Sequence, residues 1–263
     1  MDLREAQARG HDAGVRHPWE TARIDVVRTL IRRTIPLEPH ASVVDIGCGD
    51  TFVVEQLSAD LPEARFFAVD TAFTPDLIAR YGERSASPRI LPLPTLDDVP
   101  LAVGRQASLV LLMDVIEHIA DDRAFLSALV GRSWVGTDTR LLITVPAYQS
   151  LFCSHDTFLG HYRRYSNAEL RASAESAGLT VLDIGYFFFS LLPIRVLQVL
   201  KERLGGGEPE QPSSGLVGWQ GGASRAAFLH RLLLLDAAVA MRLRALGIRL
   251  TGLSNYAICA KSA

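Results

Sequence analysis

Apolar residues fall along this chain in two rhythms. Short, nearly continuous apolar runs occur at residues 42–46, 65–70, 89–94, 108–113, 140–145, 180–188 and 254–260. Runs of that length, without strict alternation, predict strands covered on both faces of a sheet. Between them the apolar positions recur at helical spacing. Residues 19–33 carry Ile24, Val27, Leu30 and Ile31 on one stripe, and further helices are predicted over 51–59, near 75–81, and over 120–130. Another helix starts at Ser166, which forms a capping box with Glu169, and stops at Gly178. Strands alternating with helices predict an α/β fold, a doubly wound parallel sheet that binds ligands at the carboxyl ends of its strands.

The first strand runs into Val43-Val44-Asp45-Ile46-Gly47-Cys48-Gly49, and the second ends in Phe66-Phe67-Ala68-Val69-Asp70. Glycines at a strand-to-helix turn leave room for a ligand to reach backbone N–H groups at the helix start. An acid at the tip of the next strand can accept both hydroxyls of a ribose. The dinucleotide fingerprint is incomplete, because Phe52 stands where the third glycine belongs, and no phosphate-cradling G-x-x-x-x-G-K-S/T occurs. Asp45 at the head of the loop suits a ligand with positive charge rather than a pyrophosphate.

Over most of its length the chain resembles the class I S-adenosylmethionine-dependent methyltransferases, and within them a bacterial small-molecule subgroup. The resemblance implies a seven-stranded Rossmann-like sheet, S-adenosylmethionine as methyl donor and S-adenosylhomocysteine as product. It places Asp45, Gly47, Cys48 and Gly49 around the methionine part, Asp70 with Thr71 at the ribose, and Met113 and Asp114 at the strand-four tip facing the cofactor. The family's usual Thr-Gly pair is replaced here by Asp50-Thr51-Phe52. The opening His17-Pro18-Trp19…Arg23 resembles the subgroup's His-Trp-Trp…Arg lid, which implies Arg23 on the methionine carboxylate and Trp19 shutting out water. Pro18 replaces the lid's first aromatic.

Candidate chemistry follows strands four and five. Asp114-Val115-Ile116-Glu117-His118 resembles the family's D-V-x-E-H element, and His118 exchanges a proton near neutral pH without a large shift. The loop over 147–165 carries Tyr148, His155-Asp156 and Gly160-His161-Tyr162-Arg163-Arg164-Tyr165. It resembles the subgroup's V-P-A-Y…H-D…G-H-x-R-R-Y-S pattern. His118 and His161 are the candidate catalytic residues. Trp19, Tyr148, His155, Arg163 and Arg164 are the candidate substrate contacts, the two arginines as a clamp for a phosphate or carboxylate. No metal is assigned. Some related methyltransferases bind a divalent ion through an E-x-x-E-H element and a later His; here that resemblance would select Asp114, Glu117, His118 and His161. A helix at that point would turn the adjacent Glu117 and His118 apart.

Residues 190–252 exceed the plain fold, where the family has a short hairpin. The segment reads as an apolar helix over 190–204 interrupted by Pro193, a Gly/Pro/Ser-rich flexible loop over 205–224, and a helix over 225–246. The second helix carries a stripe of Phe228, Leu232, Leu235, Val239, Leu243 and Leu246. The segment holds eight Arg or Lys against four Asp or Glu, while the whole chain of 263 residues carries −2. A basic, apolar appendage on an acidic core suits an anionic membrane surface or a lipid-like substrate; the competing reading is a helical cap packed on the core, or a dimer interface. The organisation predicted is a lid region (1–36), a cofactor-binding core (37–189), the helical insertion (190–252) and a last core strand (253–263).

The net charge opposes nucleic-acid binding by counterion release. Cys48, Cys153 and Cys259 form neither a metal-ligand spacing nor a disulfide framework, and residues 1–10 carry no signal-peptide apolar core. The expectation is a cytoplasmic enzyme, in part at the inner face of the membrane, that O-methylates a small or lipid-linked metabolite. The competing expectation is a cofactor-binding module that scaffolds a membrane-associated partner.

Overall fold

The computed structural model describes residues 16–84, 87–101, 105–204 and 222–262. The expectations for residues 1–10 and for the loop over 205–221 lie outside the described residues. Seven strands, β1 (Ser42–Ile46), β2 (Arg65–Val69), β3 (Ile90–Leu93), β4 (Leu109–Met113), β5 (Arg140–Pro146), β6 (Leu179–Phe187) and β7 (Ser254–Lys261), form one sheet in the order β3-β2-β1-β4-β5-β7-β6. The chain reverses its direction of winding between β1 and β4, and a crevice opens there at the carboxyl ends of the strands. Along β4 successive side chains go to opposite layers. Leu109, Leu111 and Met113 face one core with α1 (Pro18–Thr34) and α2 (Phe52–Asp60), while Val110 and Leu112 face the other. Burial on both faces is why the strands read as unbroken apolar runs.

The sheet is not parallel throughout. β7 runs antiparallel to both β5 and β6, with Ser254 opposite Phe187. The insertion therefore leaves the sheet and returns to it at one edge, the carboxyl edge where ligands bind. The remaining helices are α3 (Pro75–Arg84), α4 (Asp122–Val130), α5 (Ser154–Leu159), α6 (Asn167–Ser176), α7 (Leu192–Leu204) and α8 (Ala223–Ala245). Pro193 does not interrupt α7. It lies in the first turn, where a missing N–H costs nothing and the fixed φ favours the helix.

The face that α8 buries is not the stripe expected from sequence. Ala226, Leu233, Ala237 and Ala240 are buried, whereas Phe228 and Leu235 are 68% and 59% exposed. Three of the four buried apolar residues are alanines, and α8 packs along α1. The rotation of α8 is fixed by its single acid. Asp236, buried, accepts hydrogen bonds from the N–H groups of Phe189 and Ser190 at 3.1 and 2.7 Å. His230 adds a 2.9 Å pairing to Asp25 of α1.

Candidate active site

β1 passes into α2 through three left-handed residues, Gly47 (φ +66°), Gly49 (φ +60°) and Thr51 (φ 62°). A Cβ on Gly47 would lie 2.8 Å from Val115 Cγ2, so this position needs glycine for its conformation and for the close approach of the chain beyond β4. The Gly47 N–H donates to the Val69 carbonyl at 2.8 Å, which ties the loop to β2. Asp70 spans the same junction. Its Oδ2 accepts from the Gly49 N–H and its Oδ1 from the Ala72 N–H, both at 2.9 Å. Thr71 beside it is exposed.

Asp45 is 1% exposed, and neither carboxylate oxygen has a hydrogen-bond partner among the described residues. Burial pushes its carboxyl up to about 7, although Arg23 draws it down. An unpaired buried carboxylate is costly, and a cationic ligand relieves that cost. The orphaned acid and the open glycine turn fit S-adenosylmethionine, with its ammonium and sulfonium charges. Cys48 is buried in the loop, and burial pushes its thiol well above the ordinary range. It packs as a small apolar side chain.

The start of α1 closes on this loop. Arg16 pairs with Asp50 at 2.6 Å and lies 3.7 Å above the Phe52 ring. Arg23 is buried, lies 4.7 Å from the Trp19 ring centroid, and pairs with Asp114. Asp114 sits just beyond β4 in a left-handed conformation (φ 57°) and also accepts from the Thr144 hydroxyl at 3.1 Å. The carboxylate expected to face the cofactor is thus engaged by Arg23 of α1. Met113 is buried beneath it.

Beyond Asp114 the chain makes one isolated 3₁₀ turn, Ile116–His118. No further helical turn follows to force Glu117 and His118 onto separate faces. One ligand-type atom from each of Glu117, His118 and His161 lies within 4.8 Å of the others. Asp114, the fourth residue of the metal alternative, is outside this group and held by Arg23. Glu117 is fully buried with both oxygens unpaired among the described residues, and burial followed by the charge of Asp114 raises its carboxyl well above the usual range. The rings of His118 and His161 meet edge to face, with centroids 4.6 Å apart.

His161 is brought here by α5, a helix where the sequence predicts loop. Gly160 ends it in a left-handed turn (φ +78°), and the His161 N–H returns to the Asp156 carbonyl at 2.9 Å. The Asp156 side chain pairs with His161 Nδ1 at 2.8 Å. His155, on the same helix, is half-buried, and burial followed by the charge of Arg195 lowers its imidazole to about 4. Tyr148 (φ 63°) stacks on Tyr186 with ring centroids 5.2 Å apart.

The two-arginine clamp is not assembled. Arg163 pairs with Asp122 at 2.9 Å and donates to the carbonyls of Ile119 and Ala120. Arg164 is buried and donates to Asp156 at 2.8 Å and to the Ala147 carbonyl at 3.3 Å. Both guanidinium groups brace the loop base, because the acids they need arrive from α4 and α5. Asp156 and Arg195 were absent from the sequence candidates. The only signal for Asp156 was its place in the His155-Asp156 pair, and Arg195 carried none.

No family model matches the chain. The ubiquinone biosynthesis O-methyltransferase of Methylobacterium nodulans is 29% identical over 193 residues, which is 64% of this chain and 74% of that protein. Among solved structures, the putative methyltransferase in complex with the Haloferax volcanii Trm112 methyltransferase activator superposes with a TM-score of 0.57 at 17% identity, over 100% of this chain and 96% of that one. Coclaurine N-methyltransferase, bound to N-methylheliamine and S-adenosylhomocysteine, superposes with a TM-score of 0.53 at 14% identity, over 92% and 71%. The structural likenesses establish the fold, and the sequence relative and the loop geometry agree with it. The chain has the fold of the class I S-adenosylmethionine-dependent methyltransferases, and its sequence is similar to that of a bacterial O-methyltransferase.

Proposed function

We propose that this enzyme methylates a hydroxyl oxygen of a small molecule and that His161 takes the hydroxyl proton. The observation carrying this reading is the His118–His161 pair beside the buried Glu117, just beyond the β4 tip that borders the cofactor loop. S-adenosylmethionine, when bound, supplies an electrophilic methyl group. Asp45, the backbone of Gly47 to Gly49 and Asp70 are the groups to hold it. An acceptor oxygen that gains a methyl must lose its proton, and a neutral imidazole is suited to take it. The name of the Methylobacterium nodulans relative, an O-methyltransferase, supports oxygen as the acceptor atom. The test is turnover. His161→Asn is expected to lower kcat by about 10²-fold or more, the usual reach of a positioned base, with cofactor affinity within about twofold. Unchanged turnover would remove His161 from the chemistry.

A lipid-linked acceptor is the finer reading. Ile194, Leu197 and Leu200 on α7 and Phe228, Leu232 and Leu235 on α8 are exposed, with Arg225, Arg231 and Arg242 also exposed on α8. Apolar side chains interspersed with arginines match a surface that rests on anionic lipid. No helix among the described residues is long and apolar enough to cross a membrane, so the contact would be peripheral. Flotation with phosphatidylglycerol vesicles tests it. A stable homodimer with no vesicle binding would reassign this face to self-association.

The unpaired Glu117 favours one further reading, a divalent ion on Glu117, His118 and His161. Full turnover after exhaustive chelation would dismiss it.

A further inference from the structure

Asp156 has more partners than a loop carboxylate needs. It is fully buried. It accepts hydrogen bonds from the Cys153 N–H at 3.0 Å, Arg164 Nε at 2.8 Å and Arg195 Nη2 at 3.1 Å, and pairs with His161 Nδ1 at 2.8 Å. These partners come from three places: α5 and its cap, the loop before α6, and α7 at the start of the insertion. Two further contacts brace α7 against the same segment. Glu202 accepts from the Ser154 N–H at 2.9 Å, and Arg203 donates to the Ser150 carbonyl at 2.8 Å.

The charge state of Asp156 follows from this setting. Two guanidinium groups and a backbone N–H donate to it, the setting of an ionised carboxylate. An ionised carboxylate only accepts hydrogen bonds. The ring nitrogen facing it, Nδ1, must therefore carry the proton. In a neutral imidazole the lone pair then falls to Nε2, the ring nitrogen not engaged by Asp156. A carboxylate acting through one ring nitrogen fixes both the tautomer and the orientation of the ring.

We propose that Asp156 is a positioning residue of this active site: held by Arg164 and Arg195, it locks His161 in the Nδ1–H tautomer and so presents the Nε2 lone pair to the acceptor. Asp156 touches neither donor nor acceptor in this role. The proposal rests on the reading of His161 as the proton acceptor, and it serves equally if Nε2 binds an ion.

The deciding measurement is a long-range proton–nitrogen correlation spectrum of the ¹⁵N-histidine-labelled full chain, with His161 assigned by His161→Asn and recorded where its ring is neutral. The expected pattern is a protonated Nδ1 and an unprotonated Nε2. A protonated Nε2 in the wild-type chain would overturn the proposal, whatever any variant does. Asp156→Asn supplies the second readout, because its amide can donate to Nδ1 and so favours the Nε2–H tautomer. It is expected to shift His161 to that tautomer and to lower kcat roughly 10- to 100-fold, with KM for S-adenosylmethionine unchanged. A folded Asp156→Asn with wild-type tautomer and kcat would also overturn it. If the wild-type tautomer is as expected but His161→Asn turns over normally, the assignment of Asp156 to the ring stands and the proton-acceptor reading fails.

Discussion

At the residue scale, Asp45 makes the sharpest claim. Its carboxyl is raised from 3.8 to about 7 by burial without a partner. A group whose folded pKa lies above its unfolded value adds stability below the unfolded value and loses it as pH rises through the folded one. The ligand-free protein is therefore expected to fall in Tm between about pH 4 and about pH 7, and Asp45→Asn is expected to flatten that slope. Differential scanning fluorimetry across that range checks both; an equal slope in the variant would show that Asp45 is not the group titrating. Asp70 makes a second claim. Asp70→Ala removes the acceptor offered to a ribose and strands the Gly49 N–H that it now receives. Charge-assisted hydrogen bonds are worth about 1.5–3 kcal/mol, so S-adenosylmethionine affinity should fall at least ~10-fold by calorimetric titration.

At the element scale, α8 separates what sequence conveys from what it hides. The helix itself was legible, because 23 residues from Ala223 to Ala245 contain neither proline nor glycine. Its buried face was not. Apolar residues occur on every side, so the largest ones suggest a contact stripe, yet the buried apolar residues are Ala226, Leu233, Ala237 and Ala240, of which Leu233 and Ala237 share a core with α1. Ala237→Leu is accordingly expected to destabilise the fold by about 1–3 kcal/mol through overpacking. Phe228→Asp on the exposed face should leave Tm nearly unchanged while weakening binding to phosphatidylglycerol vesicles. Thermal melts and flotation on the two variants distinguish the faces, and the reverse ranking of their melting temperatures would contradict the assignment. The glycine loop and the acid after β2 lay in plain view, because short-range turn geometry dictates their residue types. Asp156 did not, since its side-chain partners stand 5, 8 and 39 residues away. Arg163 and Arg164 misled for the same reason: adjacency in sequence suggested a shared ligand, while the acids that engage them come from elsewhere in the fold.

At the scale of the whole molecule, function concentrates on one edge of the sheet. The cofactor loop after β1, the acid after β2, the Glu117–His118 turn after β4, the His161 loop after β5 and both ends of the insertion all lie at the carboxyl ends of parallel strands. The antiparallel β7 brings the insertion back to that edge, so α7 reaches Asp156 beside His161 while parts of α7 and α8 remain exposed. One polypeptide thus brings the cofactor loop, the proposed proton acceptor His161 and a basic, apolar outer face to one edge of the sheet. Transfer of a methyl group to oxygen is read from the carbon NMR shift of the new methyl. The full chain would be incubated with methyl-¹³C S-adenosylmethionine and an extract of its source. A new resonance in the methoxy region, absent with His161→Asn, is the predicted result. A new methyl bound to nitrogen or carbon, or no transfer at all, would contradict the account.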